Sequence, residues 1–123
     1  MSEQGDRRAA GVAKMNEVYG WEMPADVPGD FFAMTVEHLF AEVWTRPGLD
    51  IRERRLLLIG LLVGLGKEDV LDIQLASALK RGELDVSQLR ELVIFFAHYA
   101  GWPAAATLNT RVEKLIAAQR PKD

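Results

Sequence analysis

The sequence predicts an all-α protein, a compact bundle of about six helices. Three observations predict it. Apolar residues recur at helical spacing along most of the chain, no run alternates apolar and polar residues as a half-buried strand would, and glycine or proline interrupts the pattern where short helix-to-helix turns would fall.

The first helix is expected over residues 6–19, with Val12, Met15 and Tyr19 on one side and Gly20 as its stop. Pro24, Pro28 and Gly29 make residues 20–29 a loop. Asp30 is placed to cap a second helix that carries Phe31, Met34, Leu39, Phe40 and Val43 through Thr45. Arg46-Pro47-Gly48 breaks it, because proline lacks an N–H and disfavours helical geometry in the residue before it.

Asp50 and Glu53 have the spacing of a capping box for a third helix. After one charged turn this helix is apolar all round from Leu56 to Val63, a pattern that predicts burial on every side. Gly60 and Gly64 lie four apart; glycine inside a helix costs about 1 kcal/mol, and close approach of another helix is the expected compensation. Gly66 ends the third helix, residues 67–81 form a fourth, and Gly82 stops it. Asp85 with Gln88 repeats the capping box for a fifth helix over residues 86–100. Gly101 closes that helix, and Pro103 suits the first turn of a sixth, running to Gln119, with a frayed tail beyond. The chain reads as one domain over residues 1–123: a leading helix and loop over 1–29 and a core over 30–119.

Fifteen basic and eighteen acidic residues leave a net charge of −3, a poor footprint for nucleic acid. With no cysteine, thiolate catalysis, thiol redox cycling and disulfides are excluded. The longest apolar run is shorter than the roughly 20 residues a bilayer needs, and residues 1–8 carry no apolar signal core. The expectation is a soluble, cytoplasmic protein with neither nucleic-acid nor membrane partners.

Few side chains suit chemistry. His98, on the fifth helix near Glu91, Ile94 and Phe95, can act as acid or base near neutral pH, or can simply bond a backbone carbonyl. Gln74, flanked by Val70, Leu71 and Ala78, faces inward and needs a partner, whether a neighbouring helix or a ligand. Glu42 stands one turn before a helix end, either paired with Arg46 at the surface or held at a pocket mouth. Arg52 and Arg54 are either surface charge or a planar clamp for a carboxylate. His38 reads as a surface residue. Two histidines and no cysteine argue against a transition-metal site, and no phosphate loop, nucleophile elbow or dinucleotide fingerprint is present.

Residues 37–119 resemble the carboxymuconolactone decarboxylase family. The resemblance is carried by Glu42-Val43-Trp44-Thr45-Arg46-Pro47-Gly48-Leu49-Asp50, by Tyr99-Ala100-Gly101-Trp102-Pro103-Ala104-Ala105, and by Leu65-Gly66-Lys67-Glu68 and Ala78-Leu79-Lys80-Arg81-Gly82 between them. Glu17-Val18-Tyr19-Gly20 is similar to the family's leading helix. The resemblance implies a homotrimer or homohexamer with active sites near subunit contacts, and no metal or organic cofactor. Its decarboxylases convert 4-carboxymuconolactone to an enol-lactone in protocatechuate breakdown. By this resemblance His98 would transfer the proton with Glu42 as its partner, Arg52 and Arg54 would hold a small anionic substrate, and Gln74, Trp44 and Tyr99 would line the pocket. The peroxide-reducing, alkylhydroperoxidase D-like branch uses two cysteines and a histidine where this chain has Lys67, Val70 and Gln74, so cysteine-dependent peroxidase activity is excluded. The decarboxylase branch also typically has histidine where Gln74 stands. A non-catalytic oligomeric member binding a small molecule or a protein partner is the alternative.

Overall fold

The computed structural model describes residues 3–119, and these form helices joined by turns, with no strand among them. The expected fray at residues 120–123 lies outside that range. The helices are α1 (Glu3–Tyr19), α2 (Asp30–Met34) continuing into a π-helical segment (Thr35–Val43), α3 (Ile51–Leu65), α4 (Glu68–Lys80), α5 (Val86–Tyr99) and α6 (Trp102–Gln119). They make two compact units, one ending at Arg54 and one beginning at Arg55.

In the first unit, α1 packs on the π-helical segment. The approach is set at Gly11: a Cβ there would lie 1.9 Å from the carbonyl oxygen of Val36, so only glycine fits. Arg8 pairs with Glu37 at 3.0 Å across the same contact. Trp21, Tyr19, Phe40 and Trp44 follow one another ring to ring, Phe40 and Trp44 stacked at 6.0 Å. The second helix departs from expectation in two ways. Its N-cap is Gly29, at φ 108°, with no side-chain cap bond, so Asp30 is the first helical residue and not the cap. It also ends at Val43 in π form, Trp44 donating to the carbonyl of Leu39, five residues back.

The second unit is built on one core that draws Ile59, Leu62 and Val63 from α3, Leu71, Leu75 and Ala78 from α4, Leu89 from α5, and Leu108, Val112 and Ile116 from α6. Helix α6 lies on α4 and α5, and Arg111 ties it to α4 by donating to Glu68 and Asp72 at 2.7 and 2.8 Å. The hydrogen bond to Glu68 and the charge of Asp72 hold the Arg111 guanidinium above its ordinary pKa.

Both capping boxes form. Asp50 and Glu53 exchange bonds of 2.9 and 2.7 Å, and Asp85 and Gln88 exchange bonds of 2.9 and 2.8 Å. Helix α3, expected to be buried all round, is not: Leu57, Leu61 and Leu65 are 65%, 57% and 60% exposed, a stripe four residues apart on the face opposite Ile59 and Leu62. The close helix approach expected at the glycine pair is not found: a Cβ on Gly60 would lie 3.7 Å from the Phe96 ring, an ordinary contact, and a Cβ on Gly64 would meet nothing within 4 Å.

Candidate functional site

The second unit holds a buried polar cluster at Arg55. Its position follows from helical spacing: Arg55, Ile59 and Leu62 recur at i, i+4 and i+7, so the stripe that forms the core carries the arginine inside, where it is 0% exposed. An isolated buried charge is untenable, and the end of α4 supplies the counter-charge. Gly82, at φ 73°, closes α4: it donates to the carbonyl of Leu79, and Glu83 donates to that of Ala78. That closure turns Glu83 back over the helix end. Its carboxylate accepts from Arg55 Nε at 3.0 Å and Nη2 at 3.3 Å, and from Arg81 Nε at 2.6 Å. Arg55 Nη1 donates to Oε1 of Gln74, which is 3% exposed on α4. One turn further along α4, the hydroxyl of Ser77 is the enclosed side-chain polar atom left without a partner among the described residues.

His98 and Tyr99 end α5. His98 is exposed, and its Nδ1 lies 2.8 Å from the carbonyl oxygen of Ile94. A carbonyl only accepts, so Nδ1 carries the hydrogen and the outward Nε2 of the neutral ring holds the lone pair. Trp102, turned back by Gly101, meets the imidazole edge-on at 6.0 Å. Tyr99 is 81% exposed, its ring 5.0 Å from that of Phe95. Two depressions mark this unit. The smaller, about 60 Å³, is lined by Leu62, Val63, Lys67, Leu71, Ala104 and Leu108. The broader, about 320 Å³, opens over residues 66–70. Neither is lined by His98, Tyr99 or Gln74.

The other expected residues lie in the first unit. Glu42, for which a surface pair with Arg46 is one of the alternatives, is paired with Arg7 at 2.8 Å and with Nδ1 of His38 at 2.9 Å. Arg54 donates to the carbonyls of Arg46 and Leu49, fastening the Pro47-Gly48 turn from within. Arg52 is exposed in the first turn of α3. Trp44 is 8% exposed, in the aromatic row with Phe40. Within the second unit the structure therefore sets out His98, Tyr99 and Gln74; within the first, Glu42, Trp44, Arg52 and Arg54. No group of three or more His, Asp or Glu side chains is placed to hold a metal ion among the described residues, and no described helix is long and apolar enough to cross a membrane. Arg55, Arg81 and Glu83 were not singled out from the sequence. The periodicity that puts Arg55 in register with Ile59 and Leu62 was the available signal.

The chain belongs to the carboxymuconolactone decarboxylase family, whose model matches residues 29–113. It is similar to a 4-carboxymuconolactone decarboxylase of Acinetobacter baylyi, 36% identical over 91 residues that cover 74% of this chain and 67% of that protein. It is also similar to a nitrosuccinic acid decarboxylase of Metarhizium robertsii, 31% identical over 87 residues, 71% of this chain and 56% of that protein. No solved structure matches.

Proposed function

We propose that this protein is a cofactor-free decarboxylase of a small multiply charged anion, with 4-carboxymuconolactone of aromatic catabolism as the first candidate. Two observations support the reading: both relatives are named as decarboxylases, and His98 has its tautomer fixed by Ile94 with Nε2 left for chemistry. The second carries the mechanism. The bond between the substrate carbon and its carboxylate breaks and carbon dioxide leaves. The electron pair is dispersed onto the lactone carbonyl, and a proton is delivered to carbon. Protonated His98 gives that proton from Nε2 and recovers it from solvent, to which it is open. Arg52 and Arg54 supply positive charge for substrate carboxylates, with Arg54 also holding its turn. By the family resemblance, Gln74, Tyr99 and Trp44 are the candidates for lining residues and Glu42 for the partner in the proton step. Nitrosuccinate fits the same scheme, its nitro group taking the electron pair in place of the carbonyl.

A site of this kind is completed by assembly in our reading. Neither of the two depressions described above is lined by His98. The uncovered Leu57, Leu61 and Leu65 stripe suits a further copy of the chain in a homotrimer or homohexamer. The test is His98→Gln: turnover is expected to fall by at least about a hundredfold with the helical circular dichroism unchanged. Undiminished turnover contradicts the mechanism.

The second reading is a non-catalytic family member that binds a small molecule or protein partner. It is favoured by Gln74, an amide that moves no proton, where the resemblance leads one to expect histidine. A wild-type protein that binds the anion without releasing carbon dioxide would support it.

A further inference from the structure

Arg55 and Gln74 together decide what the buried cluster can offer a ligand. A guanidinium is donor only, so the Gln74 atom facing Arg55 Nη1 is the amide oxygen. Arg55 has no freedom to release it: the residue is fully buried and forked onto Glu83 by Nε and Nη2, and Glu83 is gripped from its other side by Arg81. A planar amide with its oxygen committed in one direction presents its NH2 in another. Gln74 forms its side-chain hydrogen bond through that oxygen, and its Nε2 is not among the enclosed unpartnered atoms, a description that fits Ser77 Oγ. The small part of Gln74 that stays accessible therefore includes the NH2 group, with two hydrogens to give.

We propose that Arg55 is a positioning residue that fixes Gln74 as a hydrogen-bond donor, so that the ligand group met at Gln74 is an acceptor, a carboxylate or carbonyl oxygen. The inference rests on the anionic-substrate reading above and deepens it by naming the donor atom. A histidine in this place would change its donors with protonation; the clamped amide offers the same two hydrogens at every working pH. Glu83 and Arg81 belong to the device, since they keep the guanidinium from turning away. The Gly82 closure of α4 belongs to it for delivering Glu83.

The test uses succinate, an unreactive dicarboxylate, titrated by calorimetry into the full chain as wild type, Gln74→Glu and Arg55→Lys. Gln74→Glu keeps an oxygen toward Arg55, replaces the outward NH2 with a second oxygen and adds a negative charge, so it removes the donor and also repels an anion. The expected result is binding by wild type, with the Gln74 side-chain amide signals shifting in nitrogen-15 spectra, and affinity lower by at least about tenfold in Gln74→Glu. Arg55→Lys has one ammonium where the fork had several donors. It is expected to weaken binding several-fold and to broaden the Gln74 amide signals while circular dichroism stays native. Gln74→Glu decides alone should Arg55→Lys fail to fold. Equal succinate affinity in wild type and Gln74→Glu overturns the inference and leaves the anionic-substrate reading standing. No binding by wild type overturns that reading itself, and the inference with it.

Discussion

Replacing Arg55 by methionine should destabilise the protein far more than replacing any exposed arginine. The side chain is fully buried and satisfies two acceptors, the Glu83 carboxylate and the Gln74 amide oxygen. Methionine fills much of the same volume but donates nothing, so Glu83 Oε1 and Gln74 Oε1 both lose the guanidinium. Removing one member of a buried ion pair costs about 3–5 kcal/mol. The low end applies here, about 3 kcal/mol, because Arg81 keeps its 2.6 Å bond to the other Glu83 oxygen. With a urea slope of about 2 kcal/mol per molar, the unfolding midpoint should fall by about 1.5 M, measured at one protein concentration so that assembly does not enter the comparison. Glu83→Leu alone should cost as much, since it removes the carboxylate onto which the buried Arg55 is forked. The double variant Arg55→Met/Glu83→Leu removes both charges and leaves the buried Gln74 Oε1 without its donor, so it should cost about 1–3 kcal/mol, well below the sum of the single effects. The single effects are thus expected to be strongly non-additive. A midpoint shift under about 0.3 M for Arg55→Met, or additive single effects, would refute the argument that this pair is locked in a dry core.

Three other outcomes follow from separate features. Gly11→Ala should cost about 3 kcal/mol in a urea melt, because the new Cβ would meet the Val36 carbonyl oxygen, a backbone atom that cannot step aside; an effect below about 1 kcal/mol would contradict the close approach of α1 and the π-helical segment. Asp85→Ala removes the carboxylate that accepts from Gln88 at 2.8 Å and should cost about 1 kcal/mol, with Asp85→Asn retaining most of it. The double substitution Leu57→Lys/Leu61→Lys should leave helicity intact, since both side chains are exposed in the single chain, and should reduce the sedimentation mass to that of a smaller species. An unchanged mass would exclude that stripe as the contact between copies.

What could be read from the sequence was local. Asp50 with Glu53 and Asp85 with Gln88 announce helix starts by a three-residue spacing that needs no tertiary context, and both form as expected. Gly20, Gly66, Gly82 and Gly101 stop helices where expected, at positive φ. The misses share a cause, which is that they depend on what a residue meets across space. Leu57 and Leu61 have the same composition as Ile59 and Leu62, and only packing separates the exposed pair from the buried one. The π register is equally silent: Val36, Phe40 and Trp44 recur every four residues, a spacing both helix forms accept. Gly11 resembles any glycine in a helix until Val36 is placed against it. At the site, the inward direction of Gln74 was legible from its apolar neighbours, whereas its partner was not, because Arg55 sits in a charged run whose neighbours Arg52 and Glu53 face solvent. His98 was legible as a candidate, and its bond to the Ile94 carbonyl turns the bland expectation for a histidine into a statement about which nitrogen is left for chemistry.

The central claim is decarboxylation, and the most direct measurement of it is carbon dioxide released when purified protein is mixed with freshly generated 4-carboxymuconolactone, followed alongside the ultraviolet loss of the lactone. The account predicts one carbon dioxide for each lactone consumed, at a rate proportional to protein. Lactone loss at the rate of buffer alone, with no carbon dioxide above that background, would contradict it.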